Sequence, residues 1–120
     1  MTRILLVDDE KALVECLSSI LNLEGGFDVT TASGVDDGLK HLRTEGVDVL
    51  LTDICLSDGR GCDLVDMMHQ LQPEARAIVM TGDEPSRHRG SLGADRVLRK
   101  PFDPSELVEL LREVVDGPGL

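Results

Sequence analysis

Tryptophan and tyrosine are absent from the sequence, and phenylalanine occurs only twice. A core must therefore be built from Leu, Val, Ile, Ala and Met, and almost nothing is available for the aromatic platforms that stack nucleic-acid bases. Basic residues are also scarce: 12 Lys and Arg face 23 Asp and Glu, for a formal net charge of −11. Such a surface opposes phosphate backbones and anionic lipid, and it suits a cationic ligand or a basic partner. Cysteine is limited to Cys16, Cys55 and Cys62, an odd number without a metal-type C-x-x-C pair, which implies neither a disulfide framework nor a zinc site. Long apolar runs are missing too; the first, at residues 4–7, is too short for a signal peptide or a membrane span. These absences lead us to expect a cytoplasmic protein with reduced thiols, no direct nucleic-acid binding and no membrane contact. Nucleotide binding is not expected either, because Gly59-Arg60-Gly61 lacks the third glycine of a dinucleotide fingerprint and no G-K-[ST] occurs.

What is present is a repeated unit: a short apolar run, a polar break, then apolar residues at helical spacing. A chain of 120 residues fits one domain. Residues 4–7 read as a strand buried on both faces. Leu13, Cys16, Leu17 and Ile20 then mark a helix over about residues 10–24, with Cys16 placed on its apolar face. A strand at 27–31 is followed by a helix that Ser33 can cap and Gly46 ends, with Val35, Leu39 and Leu42 on one face. The pattern continues with a strand at 47–52, a helix marked by Leu64, Met68 and Leu71, and a strand at 77–80. A short strand at 96–99 precedes Asp103-Pro104-Ser105-Glu106, a capping-box-like start with Pro at the first helical position, and a final helix bearing Leu107, Leu110, Leu111 and Val114. Strands alternating with helices predict an α/β fold, a doubly wound five-stranded parallel sheet. Residues 83–93 fit poorly, so a fourth helix there is expected to be short or frayed. The domain is expected to span residues 1–116, with 117–120 as tail or linker.

Polar residues stand where the apolar runs stop. Asp8 and Asp9 follow the first strand, Asp53 the third, Thr81 the fourth and Lys100 the fifth. In a parallel open sheet these positions share the edge at which such folds bind ligands. Each of them alone has an ordinary explanation, since acids favour helix starts and turns; their joint placement does not. If the first and third strands are neighbours, three carboxylates converge, and each pair at about 4 Å repels by roughly 4 kcal/mol at an effective dielectric near 20. A cation is required. Oxygen ligands without His or Cys point to a hard ion, and few protein ligands with room for water favour Mg²⁺ over Ca²⁺. Three carboxylates, a hydroxyl and an ammonium then suit phosphoryl transfer, with Asp53 as the nucleophile. A turnover Mg²⁺ phosphatase is the rival chemistry, but an Asp-x-Asp after the first strand would be expected for it, where Asp8-Asp9-Glu10 stands here.

The segments LLVDDE, LLTDICLSDGRG, IVMTGD and GADRVLRKPF, in this order, resemble the response-regulator receiver domain of two-component signalling over essentially the whole chain. The resemblance implies a flavodoxin-like sheet of strand order 2-1-3-4-5. It implies phosphorylation of Asp53 by a histidine kinase or phosphotransfer protein, and Mg²⁺ bound by Asp9, Asp53 and the Cys55 backbone carbonyl, with Asp8 acting mostly through water. Thr81 would be the switch hydroxyl, Lys100 the phosphate partner, and Lys100-Pro101 a cis bond. Cys55 and Asp83 would occupy the positions that tune acyl-phosphate lifetime. Output would pass to a domain beyond this chain or to a separate effector. Turnover of a foreign substrate is not implied. The sequence departs from the family at Val97, where an aromatic switch residue is usual, at Ser57, where proline is common, and in a shortened interval between Thr81 and Lys100. These departures motivate an alternative, a phosphorylation-independent interaction module with an atypical output surface.

Overall fold

The computed structural model describes residues 2–23, 26–82 and 93–116. Strands β1 (Arg3–Val7), β2 (Asp28–Ala32), β3 (Val49–Asp53), β6 (Arg76–Thr81) and β7 (Arg96–Arg99) form one parallel sheet in the order β2-β1-β3-β6-β7. Counting only the strands of this sheet, that is the expected order 2-1-3-4-5. Helices α1 (Lys11–Leu23), α2 (Val35–Thr44), α3 (Gly61–Leu71) and α4 (Pro104–Asp116) connect and follow them. The expected short or frayed helix in residues 83–93 falls almost wholly on 83–92, outside the described residues.

Strand alternation sorts the apolar residues into two layers, because successive side chains leave a strand on opposite faces. Leu5, Val7, Leu50, Ala77 and Val79 pack on one side with Leu42, Leu64, Val65 and Met68 of α2 and α3. Ile4, Leu6, Val49, Leu51, Ile78 and Met80 pack on the other with Leu17 and Leu21 of α1 and Leu107, Leu111 and Val114 of α4. Since β1, β3 and β6 are covered on both sides, they read in sequence as unbroken apolar runs.

Two local expectations are corrected. Cys16 is exposed, not core. The buried stripe of α1 runs through Leu17 and Leu21, and Cys16 lies one residue, about 100° of helix, away from it. Ser33 does not cap α2: Gly34 occupies that position, and the backbone N–H of Ser33 is donated to Asp37.

Between β3 and α3, the two-residue strands β4 (Cys55–Leu56) and β5 (Gly59–Arg60) pair antiparallel into a small hairpin. Its base is closed where the Gly61 N–H donates to the Ile54 carbonyl at 2.9 Å. A Cβ on Gly61 would run into the Asp53 backbone oxygen and come within 3.0 Å of Thr52 Oγ1. Gly61→Ala is therefore expected to destabilise the protein by about 1–3 kcal/mol in urea unfolding, as overpacking of a rigid backbone contact does. Gly46→Ala, where a Cβ meets nothing within 4 Å, should stay within about 0.5 kcal/mol of wild type.

Candidate phosphoacceptor site

The register of the sheet decides which side chains meet. Val7 pairs with Thr52, so the next residues, Asp8 just after β1 and Asp53 at the end of β3, emerge side by side. Asp53 pairs with Met80, which places Thr81 one step further along the same edge. Thr81 pairs with Arg99, and the Lys100 N–H donates to the Thr81 carbonyl at 2.7 Å, bringing Lys100 over the edge. Lys100-Pro101 is cis.

Asp8, Asp9 and Asp53 each offer a carboxylate oxygen such that all three lie within 4.8 Å of one another. Asp8 is buried, Asp53 half-buried and Asp9 exposed. Lys100 Nζ donates to Asp8 Oδ2 at 2.8 Å and to Asp53 Oδ2 at 3.2 Å, so one ammonium bridges two of the three acids. Burial pushes the Lys100 ammonium down, but the hydrogen bond to Asp8 and the charges of Asp8 and Asp53 outweigh it and hold it above the ordinary lysine value. The Asp8 carboxylate is further fixed by the Glu10 N–H, donated to Oδ1 at 2.9 Å. Thr81 is buried at the end of β6, and Gly82 beside it leaves open space.

The donor set fits a hard divalent ion. It consists of oxygens only, and ligands at about 2.1 Å from Mg²⁺ stand up to about 4.2 Å apart, close to the spread of these three carboxylates. Cys55 is exposed in the hairpin directly after Asp53. Val97 lies half-buried on β7 against the α2–α3 layer. Asp83, named above as a lifetime-tuning position, lies outside the described residues.

Sequence reasoning missed Asp58. This exposed carboxylate, at the tip of the hairpin, accepts the N–H groups of Val35 at 2.8 Å and Asp36 at 3.1 Å, capping α2 from 22 and 23 residues away. Those two bonds hold its carboxyl below the usual range. The available signals were a helix start preceded by glycine rather than a strong cap, and an acid at the tip of a glycine-rich loop.

Two measurements follow from this geometry. Lys100→Met leaves buried Asp8 without its cation, and should lower stability by about 1–3 kcal/mol, less than a fully buried pair would lose because Lys100 stays partly in water. Because the folded-state value of Asp58 lies below the unfolded one, its contribution is present above about pH 3.9 and is lost as pH falls through the folded value. The difference in unfolding free energy between wild type and Asp58→Asn should therefore be largest near neutrality and close in the acid range below that value.

Among the described residues no helix is long and apolar enough to cross a membrane. Residues 4–112 match the family model of the response regulator receiver domain. The transcriptional regulatory protein CpxR of Escherichia coli is 36% identical over 118 residues, which cover 96% of this chain and 50% of CpxR. The chain spans about half the length of the curated relatives it matches. A CheY-like receiver domain protein from Methanospirillum hungatei superposes with a TM-score of 0.89 at 34% identity, covering 97% of this chain and 94% of that one. The response regulator TrrA of Thermotoga maritima, solved in complex with Mg²⁺–BeF, gives 0.84 at 29% identity over 95% and 99% of the two chains. A match of this extent, on a doubly wound sheet whose edge gathers these acids and this lysine, shows that the chain belongs to the receiver domains of two-component response regulators.

Proposed function

We propose that this domain accepts a phosphoryl group on Asp53 from a histidine kinase or phosphotransfer protein, and that it needs Mg²⁺ to do so. The observation that carries the reading is the meeting of three carboxylates and one ammonium at a single sheet edge. Asp8, Asp9, Asp53 and the Cys55 backbone carbonyl would hold the ion, which supplies charge neutralisation for the phosphoryl oxygens. An Asp53 carboxylate oxygen forms the new bond to phosphorus as the bond to the donor's imidazole nitrogen breaks, giving an acyl phosphate. Lys100 already reaches both Asp8 and Asp53, so its ammonium needs only a short swing to pair with a phosphoryl oxygen. Thr81 supplies a hydroxyl on the same edge, and the bare backbone of Gly82 leaves an entry for the group. Cys55 and Asp83 are the residues we expect to set the lifetime of the acyl phosphate.

The domain is taken as residues 1–116 with 117–120 as tail. It acts as a cytoplasmic signalling switch rather than a turnover enzyme, with output through a further domain or a separate effector. Val97 favours a second reading, a phosphorylation-independent interaction module, because an aliphatic side chain packed on the α2–α3 layer provides no ring to rotate.

With Mg²⁺ and a small acyl-phosphate donor, intact mass spectrometry should show one added phosphoryl group on the wild type and none on Asp53→Asn, and chelation should abolish the gain. No added mass on the wild type, or the same gain on both, contradicts the proposal. Undiminished partner binding by Asp53→Asn, alongside an unphosphorylated wild type, selects the second reading.

A further inference from the structure

The hairpin after Asp53 is held at both ends. Its base is closed by the Gly61 N–H bond to the Ile54 carbonyl, and a side chain at Gly61 would break that closure. Its tip is pinned to α2 by Asp58, whose two oxygens take the N–H groups of Val35 and Asp36. A helix start leaves such donors without intrahelical partners, and a carboxylate satisfies them with charge-assisted bonds aligned with the helix dipole. The fit is close: a Cβ on Gly34 would stand 2.6 Å from Asp58 Oδ1. Cys55, whose carbonyl the proposed function offers to the metal, lies between these two anchors, paired with Arg60. Leu56 anchors the hairpin in the α2–α3 layer, and at the tip, where Ser57 supplies no ring to restrain the backbone, the Asp58 contact with α2 adds the restraint.

We propose that Asp58 is a positioning residue for the metal site: by fastening the hairpin tip to the first turn of α2, it keeps Cys55 in place beside Asp8, Asp9 and Asp53. This rests on the reading of that acidic edge as a Mg²⁺ site. The cost of ordering the hairpin is met by the α2 contact before the ion arrives, so losing the contact transfers that cost to metal binding.

The test is isothermal titration of the full chain with MgCl₂, with backbone amide exchange at Val35 and Asp36 reporting on the tip contact. Asp58→Ala removes both acceptors and Asp58→Asn keeps one. Gly34→Ala displaces the carboxylate while leaving its charge, which separates anchoring from simple electrostatic attraction. Both alanine variants should accelerate exchange at the two amides and weaken Mg²⁺ binding by roughly tenfold, with Asp58→Asn in between. Should Gly34→Ala not fold, the graded pair at Asp58 carries the comparison. Val114→Ala, in the layer across the sheet, lowers stability without touching the hairpin and should leave Mg²⁺ affinity unchanged. Faster exchange at Val35 and Asp36 with undiminished Mg²⁺ affinity overturns the inference, as does an equal loss of affinity in Val114→Ala. Absence of Mg²⁺ binding by the wild type overturns the reading of the acidic edge instead.

Discussion

Crowding of negative charge at one end of a parallel sheet is the constraint on which the rest of this molecule turns. Pairing of Val7 with Thr52 leaves Asp8 and Asp53 no choice but to emerge together, and Asp9 joins them from the start of the following segment. Like charges this close are tolerated only beside a cation. Lys100 supplies one from the residue after β7, two strands from β3 in the sheet, which makes the edge depend on long-range order: the ammonium reaches Asp8 only if β1, β3, β6 and β7 keep their register. The apolar layers on either side of the sheet hold that register; β1, β3 and β6, which end at Asp8, Asp53 and Thr81, are buried on both faces, whereas Lys100 follows the half-covered edge strand β7.

This arrangement also explains why so many unrelated-looking residues of the loop are small or polar. Gly61 must let the backbone of Asp53 pass close by, and Thr52 donates its hydroxyl to the same Asp53 carbonyl at 2.9 Å. Gly34 must leave room for Asp58. Asp53, the proposed acceptor, is thus set in a backbone that is fixed on both sides, the preorganisation that in-line transfer to it would call for.

Much of this was legible from the chain alone. Runs such as residues 4–7 and 77–80 mark buried parallel strands because neither face needs a polar residue, and the polar residues at their ends mark the candidate site that the structure brings together. The resemblance to receiver domains added the strand order, which apolar patterning by itself leaves open. What escaped sequence reading was tertiary in origin. Asp58 caps a helix that begins 23 residues earlier, and the weak cap at Gly34 and the acid in the loop, each visible locally, do not name each other as partners. Leu13, Leu17 and Ile20 surround Cys16 in the helical pattern and point it to the core, yet the stripe that α1 buries is set by where it lies against the sheet and α4, and passes through Leu17 and Leu21.

The claim that these acids form a divalent-ion site is tested most directly by replacing Mg²⁺ with paramagnetic Mn²⁺, another oxygen-preferring ion, and recording backbone amide spectra. Line broadening centred on Asp8, Asp9, Asp53 and Cys55 and fading with distance is the expected result. Broadening scattered over the acidic surface, or none at these four residues, would contradict it.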